Sequence, residues 1–375
     1  MSKAQQYFNQ EHQQVRDSVS RFVEREILPF VDAWEEAEEF PRELYLKAGA
    51  AGILGIGYPE KFGGSYEGDL FAKVAASEEL MRSGSGGLVA GLGSLDIGLP
   101  PVLKWAKPAV RDRVVPQVVA GEKIIALAVT EPSGGSDVAG LKTRAVRDGD
   151  FYRVTGSKTF ITSGVRADYY TVAVRTGGDG FAGVSLLLIE KGTPGFSVGR
   201  SLKKMGWWAS DTAELFFDDC KVPVENLIGV ENMGFAGIMA NFQSERLSLA
   251  IMANMTSQLA LEEALKWAKE RSAFGKPIGK FQVLKHRLAE MATQIEVSRE
   301  FTYRQAAQIA AGKSVIKEIS MAKNFATDVS DRITYDATQI LGGMGFMRES
   351  LVERLYRDNR ILSIGGGTRE VMNEI

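Results

Sequence analysis

The sequence YYTVAVRTGGDGFAGVSLLLI, residues 169–189, indicates the fold most clearly, because it marks a β region within the chain. It contains two short runs of mainly β-branched, aromatic and other apolar residues, 169–174 and 184–189, and runs of this length and composition predict β-strands. The glycine-rich segment Gly177-Gly178-Asp179-Gly180 lies between them and is typical of a turn. The stretch therefore predicts a β-hairpin within a β-sheet domain.

Residues 178–183, GDGFAG, also satisfy the pattern G-x-G-x-x-G of dinucleotide-binding folds. In those folds the glycines lead into a helix whose N-terminus holds the pyrophosphate. Here they lead into the second apolar run, which is a predicted strand. We therefore interpret this pattern as a hairpin turn and not as a nucleotide site.

The sequence on either side of this β region has helical periodicity. Apolar residues recur three or four positions apart, as on one face of a helix. They are Val15, Val19, Phe22, Val23, Ile27 and Phe30 before the β region, and Leu284, Leu288, Met291, Ile295, Ile319, Ala322, Ala326, Val329 and Ile333 after it. The sequence therefore predicts the α+β fold class, with an N-terminal helical domain (1–122), a middle β-sheet domain of barrel or sandwich type (123–232) and a C-terminal four-helix-bundle domain (233–375).

Composition excludes several classes of function. The 375 residues include 45 basic and 47 acidic side chains, and no run of Lys and Arg is dense enough to bind nucleic acid or an anionic membrane. The single cysteine, Cys220, excludes an intramolecular disulfide, and the two isolated histidines give no metal-ligand spacing. Residues 1–14 are polar, and no apolar run of about 18 residues follows, so we expect a cytoplasmic protein without a membrane span.

Two segments of the β region are suited to a planar ligand. Residues 127–137, LAVTEPSGGSD, pass from an apolar strand into a loop of small residues, whose backbone amides can approach a ring or a phosphate closely. Residues 156–164, GSKTFITSG, place an aromatic ring and hydroxyl groups on a short strand. Either segment alone is more often an ordinary loop or a packing element.

Together with segments of the carboxyl half, these runs resemble the acyl-CoA dehydrogenase family of flavoenzymes over nearly the whole chain. The further segments are SDTAELFFDDCKVP at 210–223, RSAFGK at 271–276, FQ at 281–282 and QILGGMGF at 339–346. The resemblance implies FAD as cofactor, an acyl-CoA substrate, an electron-transfer flavoprotein as electron acceptor, and a homo-oligomer, usually a tetramer, in which a neighbouring subunit completes the FAD site. The FAD contacts that it implies are Leu127, Ala128, Val129, Thr130, Ser136, Phe160, Ile161, Thr162, Arg271, Phe274, Phe281, Gln282, Gln339, Gly342, Gly343, Thr368 and Glu370.

The catalytic base is where this sequence departs from many members of the family. Those members carry a glutamate in a late loop that resembles residues 364–368, IGGGT, and this chain has Gly366 at that position. The branch that includes isovaleryl-CoA and long-chain acyl-CoA dehydrogenases places the glutamate on a helix, in a segment that looks like Glu245-Arg246-Leu247. Desolvation raises the pKa of a carboxylate in such a cavity, which makes it basic enough to remove the α proton of a thioester. The resemblance therefore implies Glu245 as the base and the backbone NH of Gly366 as a donor to the thioester oxygen.

The substrate itself is less clearly defined by the sequence. The glycine run 365–367 removes side chains near the acyl α and β carbons, and the extra room favours a medium-to-long or methyl-branched chain. Two alternatives remain open, namely an isovaleryl-CoA-type dehydrogenase of short branched chains and a catalytically silent protein that binds flavin or acyl-CoA. A flavin oxidase is disfavoured because acyl-CoA oxidases are generally longer chains. The substrate contacts that the resemblance implies are Ser136, Phe242, Gln243, Arg246 (at the CoA end), Gly365 and Gly366.

Overall fold

The computed structural model of the chain describes residues 6–375. Helices come first, a β-sheet follows, and long helices complete the chain, so the predicted α+β fold class is confirmed. Asp69 shows how a local signal sets one of the helix starts, since its side chain accepts hydrogen bonds from the first-turn amides of Phe71 and Ala72. The helices before the sheet are α1 (Gln10–Phe22), α2 (Val31–Ala37), α3 (Glu43–Ala50), α4 (Leu70–Met81), α5 (Gly86–Leu92), α6 (Leu95–Trp105) and α7 (Pro108–Val119).

The middle of the chain forms one twisted sheet. Its strands are β1 (Ile125–Ala128), β2 (Arg144–Asp148), β3 (Phe151–Thr162), β4 (Tyr169–Arg175), β5 (Val184–Glu190), β6 (Phe196–Ser201), β7 (Thr212–Pro223) and β8 (Leu227–Ile228). They pair in the order β6-β7-β3-β2-β4-β5-β8, and β1 pairs in parallel with β4. This parallel pairing brings the end of β1 and the loop that follows it to the side of β3, where the Thr159 amide donates to the Thr130 carbonyl oxygen.

The hairpin predicted from residues 169–189 is present. Strands β4 and β5 are antiparallel, with Tyr169 opposite Glu190 and Arg175 opposite Val184. Every residue of β4 is buried, because the strand lies inside the sheet with helices against it. The glycine-rich segment makes the turn between these strands, so the interpretation of the G-x-G-x-x-G pattern as a turn is confirmed.

The carboxyl part is a helical bundle. Its elements are α8 (Gly234–Glu270), α9 (Gln282–Ala310), α10 (Ile316–Leu341), α11 (Leu351–Asn359) and α12 (Arg369–Glu374), with the short strands β9 (Ser272–Ala273) and β10 (Lys276–Pro277) between α8 and α9. The apolar stripe of α10 that the sequence displays is buried against α8 and α9. Burial of this stripe removes apolar area from water, which is the main driving force for packing the bundle.

One stretch of the described chain, Gly86–Trp105, is long and apolar enough to cross a membrane by length and composition alone. It is not a single helix, because α5 ends at Leu92 and α6 begins at Leu95. Its apolar window is 67% buried inside the fold, where α6 packs against the sheet and against α8. The stretch therefore has the position of a core element in this structure.

The turn that leads into β1 provides a test of the packing. Gly121 has φ +74°, and a Cβ there would lie 2.0 Å from the Tyr45 carbonyl oxygen. Gly149, in the turn between β2 and β3, has φ +60° and open space where a Cβ would be. We expect Gly149→Ala to lower the free energy of unfolding by about 1–2 kcal/mol through backbone strain alone. Gly121→Ala should lower it by at least about 3 kcal/mol, because the clash with fixed backbone adds to that strain. Urea unfolding of both variants measures the difference, and equal losses would contradict this account.

Candidate active site

The structure brings Glu245 and Gly366 together, although they are 121 positions apart in the sequence. Gly366 has φ +63°, and a Cβ built on it would lie 3.6 Å from Glu245 Cγ and 3.7 Å from Glu245 Cδ. The same Cβ would lie only 2.6 Å from Leu249 Cδ1. The Glu245 carboxyl group therefore lies close to the space that a side chain at position 366 would enter, and a glycine leaves that space open.

Burial changes the acidity of Glu245. Its side chain is partly buried on α8, and desolvation raises its pKa to about 7, although the charges of Arg246 and Lys323 act in the opposite direction. These cations act on the carboxylate through their charge and not through a hydrogen bond. A carboxylate of this kind ionises near neutral pH and has its oxygens free to accept a proton.

The two cations beside Glu245 hold the glycine run instead. Arg246 is buried, and its Nε lies 3.4 Å from the Gly366 carbonyl oxygen. Lys323 is fully buried on α10, and its Nζ donates to the Gly367 carbonyl oxygen at 2.8 Å. Within residues 6–375 the Gly366 amide makes no hydrogen bond, so its NH is free to meet an acceptor. Burial and the neighbouring charge of Arg246 lower the pKa of Lys323 to about 8, although the charges of Glu245 and Glu370 act in the opposite direction.

A cavity of about 160 Å³ begins at Glu245 and extends between α4, α6 and α8. Most of its wall is aliphatic, and this makes it suitable for a hydrocarbon chain. Polar side chains are few, with Ser77, Ser244, Ser248, Lys73 and Asp96 among them. The aliphatic wall consists of Ile53, Leu54, Ile56, Leu70, Val74, Ala76, Leu80, Leu92, Leu95, Ile97, Pro100, Leu247 and Ile251.

An exposed aromatic ring marks the segment of β3 that the sequence suggested for a planar ligand. Phe160 is 68% exposed and has φ +59°, an unusual backbone conformation for a residue with a large side chain. It lies where the register of β3 against β7 shifts, between Lys158 and Ile161. The shift turns the Phe160 ring outward while Ile161 remains buried at 2% exposure.

A buried ion pair fixes the loop after β1 next to this ring. Lys158 Nζ donates to Glu131 Oε1 at 2.8 Å and to the Val129 carbonyl oxygen at 2.9 Å. Glu131 also accepts from the amides of Lys142 and Thr143. Burial lowers the pKa of Lys158 to about 8, and Glu131 opposes that shift. Although burial acts to raise it, the pKa of Glu131 is lowered by Lys158 and by these hydrogen bonds.

Several of the predicted cofactor residues lie far from Glu245 in the same chain. Arg271 follows α8, the helix that carries Glu245, and the 26 intervening residue steps of helix correspond to roughly 39 Å. The ring of Phe274 is 94% exposed and meets Phe281 edge-on at 6.2 Å between centroids. The exposed members of this distant group are Arg271, Phe274, Gln282, Gln339, Gly342 and Gly343. One chain therefore does not bring them to the Glu245 cavity.

The other predicted contacts have varied surroundings. Ser136 is exposed in the loop after β1, while Phe242 and Gln243 are partly buried on α8, one turn before Glu245. The Thr368 hydroxyl accepts from the Val371 amide at 3.3 Å and so caps α12, on which Glu370 is exposed. The side chains of Ala128, Val129 and Ile161 are buried in the core, which leaves mainly their backbone for a ligand.

Sequence reasoning missed Lys158, Glu131 and Lys323. In β3, Tyr152, Val154 and Lys158 occupy alternate positions that face inward, so strand periodicity places Lys158 in the core. Lys323 is four residues after Ile319, on the apolar stripe of α10. A lysine at an inward position of an apolar pattern was thus the available signal for both cations. The cavity wall from α4 and α6 had no comparable signal, because its residues are ordinary core side chains.

Comparisons with known proteins agree with this architecture. Family models for the acyl-CoA dehydrogenase N-terminal, middle and C-terminal domains match residues 9–122, 126–220 and 232–375. The long-chain specific acyl-CoA dehydrogenase of Sus scrofa mitochondria is 39% identical over 98% of this chain and 86% of its own length. A probable acyl-CoA dehydrogenase from Mycobacterium abscessus has a TM-score of 0.96 and 50% identity over 98% of both chains. A chain from a structural study of the electron transferring flavoprotein of Acidaminococcus fermentans has a TM-score of 0.94 and 37% identity over 98% of this chain and 97% of its own.

These matches define an oxidoreductase that acts on a CH–CH bond. The chain belongs to the acyl-CoA dehydrogenase family, whose members depend on FAD.

The described residues fit such a cofactor. Phe160 presents a ring to solvent from a strained backbone, and covering that ring with a flavin would bury apolar area. The loop 129–131 beside it is held by a buried ion pair and offers its backbone to a ligand. A rigid loop next to an exposed aromatic ring is suited to the binding of a planar heterocycle.

The buried ion pair of Lys158 and Glu131 should contribute measurably to the free energy of unfolding. Lys158→Met leaves the buried Glu131 carboxylate without its cation, so we expect the free energy of unfolding to fall by about 3–5 kcal/mol. Replacing both partners, Lys158→Met with Glu131→Gln, should restore much of that loss, because no uncompensated charge remains and the side-chain oxygen at position 131 can still accept from a main-chain amide. Urea unfolding measures all three proteins, and a single variant as stable as the double variant would rule out this role for the pair.

Proposed function

We propose that the protein desaturates a medium-to-long or methyl-branched acyl-CoA thioester between its α and β carbons, with Glu245 as the base that accepts the α proton. The observation that carries the proposal is the position of Glu245. Its carboxyl group lies at an apolar cavity, close to the space left open by Gly366, with a pKa raised to about 7 by burial. FAD, when bound beside Phe160 and the loop 129–131, would supply the acceptor for the hydride of the β carbon.

The glycine run supports a second part of the proposed mechanism, the stabilisation of charge on the thioester oxygen. Removal of an α proton places negative charge on the thioester oxygen, and a fixed NH group stabilises that charge. Among the residues that the structure describes, 6–375, the Gly366 amide makes no hydrogen bond, and the glycine run that carries it is held by Arg246 and Lys323 through the carbonyl oxygens of Gly366 and Gly367. We infer that Gly366 donates to the thioester oxygen while Glu245 takes the α proton.

The shape of the site favours chains of more than a few carbons or with a branch. The cavity wall is aliphatic along three helices, which leaves apolar surface that a short acyl group would not cover. A Cβ at Gly365 would meet only the Ile361 carbonyl oxygen, at 3.5 Å, so a methyl branch has room beside the glycine run. An isovaleryl-type specificity remains the alternative, and turnover measured on straight and branched acyl-CoAs of increasing length distinguishes the two.

The distant group of cofactor residues supports a shared FAD site. Arg271 lies roughly 39 Å from Glu245 along α8, Phe274 follows it, and Gln339 lies near the end of α10. All three are exposed, so we infer that they serve the cofactor site of a neighbouring subunit in a homotetramer. We further infer that the FAD-loaded enzyme would use an electron-transfer flavoprotein as its electron acceptor. A cytoplasmic location agrees with the buried position of the apolar stretch Gly86–Trp105.

The role of Glu245 is tested by an isosteric change. Glu245→Gln removes the proton acceptor and keeps the size of the side chain, so we expect FAD to remain bound while flavin reduction by acyl-CoA slows by about 10²–10⁴-fold. Anaerobic stopped-flow at the oxidised-flavin absorption band measures the rate. Glu263→Gln, on the same helix, is the matched control and should reduce at the wild-type rate. Near-normal reduction in Glu245→Gln would refute the assignment.

The raised pKa gives a separate pH prediction. The base must be ionised, so flavin reduction at subsaturating acyl-CoA should increase about tenfold per pH unit below pH 7 and reach a plateau above it. The ordinary value for a glutamate is 4.5, and the folded protein therefore holds this proton more tightly than the unfolded chain. Between pH 4.5 and 7 the wild type should lose stability relative to Glu245→Gln as the pH rises. A rate midpoint near pH 4.5 would show that the carboxyl group is not desolvated in solution.

A further inference from the structure

A charged pair interrupts the aliphatic wall of the acyl cavity. Lys73 on α4 and Asp96 on α6 both line the cavity, and Lys73 Nζ donates to Asp96 Oδ1 at 2.7 Å. Tyr58 completes the group, since its hydroxyl donates to the same Asp96 oxygen at 3.1 Å and its ring lies 4.3 Å below the Lys73 ammonium. We refer to Tyr58, Lys73 and Asp96 as the polar wall.

The polar wall retains unused hydrogen-bonding capacity. Both short contacts go to Asp96 Oδ1, and within residues 6–375 Asp96 Oδ2 makes no hydrogen bond. The Lys73 ammonium has three N–H groups, and the contact with Asp96 uses one of them. The Lys73 and Asp96 side chains are 32% and 45% exposed, so these free positions are accessible to water. A plain alkyl chain in the cavity would displace that water without replacing its hydrogen bonds.

The polar wall is separate from the chemistry at Glu245. Glu245 lies on α8, while Lys73 and Asp96 belong to the two helices that face it across the cavity. The charges that act on Glu245 are those of Arg246 and Lys323, and neither Lys73 nor Asp96 is among them. A group that meets the polar wall therefore belongs to the acyl chain beyond the reacting α and β carbons.

The opposite charges of Lys73 and Asp96 determine which substituent of an acyl chain the polar wall can bind. A hydroxyl group can donate to Asp96 Oδ2 and accept from Lys73 Nζ at the same time, so it satisfies both partners. A carboxylate can accept from Lys73 but is repelled by Asp96, and an alkyl group satisfies neither. The pair is neutral overall, which matches an uncharged polar substituent.

We propose that Lys73 and Asp96 are specificity-determining residues that favour acyl-CoA substrates with a hydroxyl group on the acyl chain beyond the β carbon. This inference rests on the proposed function, since it assigns a substrate class to the same site. Hydrogen bonds to two charged partners should favour the hydroxylated substrate by about tenfold or more over the matched alkyl chain.

The test compares substrates that differ in one group. The FAD-loaded enzyme is assayed anaerobically, with a ferricenium salt as the electron acceptor. The substrates are dodecanoyl-CoA, its monohydroxy isomers from the γ carbon outwards, and the ω-carboxy analogue. We expect at least one hydroxy isomer to exceed dodecanoyl-CoA in kcat/KM by about tenfold, with the ω-carboxy compound below that isomer. A preference for dodecanoyl-CoA over every hydroxy isomer, or for the carboxy analogue over all of them, would overturn the proposal.

Variants connect the preference to the wall. Lys73→Met combined with Asp96→Leu should abolish the hydroxyl preference and raise kcat/KM for dodecanoyl-CoA, since no charged group then needs water. Asp96→Asn keeps the shape and should reduce the preference, and it gives an answer even where the double variant does not fold. Lys61→Met, an exposed lysine outside the cavity, is the matched control and should keep the wild-type ratio. An unchanged ratio in Asp96→Asn and in a folded double variant would also overturn the proposal.

The same assay distinguishes a failure of the proposed desaturation from a failure of the proposed hydroxyl preference. If no acyl-CoA of either series reduces the flavin, the proposed desaturation is wrong. If both series reduce it with equal kcat/KM, the desaturation holds and only the role of the polar wall is wrong.

Discussion

The site depends on a carboxylate that is taken out of water while two cations close to it are occupied elsewhere. Desolvation raises the pKa of Glu245, and a direct ion pair would cancel that effect. Arg246 and Lys323 do not form one, because their donors are directed at the carbonyl oxygens of Gly366 and Gly367. The same two contacts hold the glycine run in place. The position of the glycine run and the pKa of Glu245 are thus set by one arrangement, and a change at either cation would affect both.

The length of α8 determines which of the proposed site residues can lie together in one chain. It carries Glu245 near its start and ends at Glu270, just before Arg271, so it separates the proposed chemical centre from the distant cofactor group by most of its length. A rigid helix does not bend back to bring its two ends together. If both ends serve FAD, they serve different FAD molecules. Oligomerisation would then be part of how each site is completed, and the exposed ring of Phe274 would be buried in the assembly.

The fold could be predicted from the sequence because its patterns are periodic. Two apolar runs around a glycine turn gave the β4–β5 hairpin, and the stripe from Ile319 to Ile333 gave α10. The centre of the site was harder to predict. Helix statistics alone place an adjacent Glu245-Arg246 pair on a solvated surface. Only the family resemblance implied that Glu245 lies in the active site. The reason is physical, since the site forms where Glu245 approaches Gly366, which lies 121 positions away. Local sequence contains no information about such a contact.

The cavity wall shows a second limit of the same kind. Its residues on α4, α6 and α8 are indistinguishable from ordinary core residues until the helices are placed together. In this arrangement the proposed proton transfer uses α8 and the glycine run, while the far wall comes from helices that carry none of the proposed chemistry. Substitutions on α4 or α6 can therefore alter which acyl group fits without replacing Glu245, its neighbouring cations or the glycine run. A charged pair such as Lys73 and Asp96 is tolerated on that wall because it is partly exposed, so its desolvation cost falls on the substrate that covers it and not on folding. Selectivity among acyl groups can thus evolve on the amino-terminal helices while the bundle preserves the reaction.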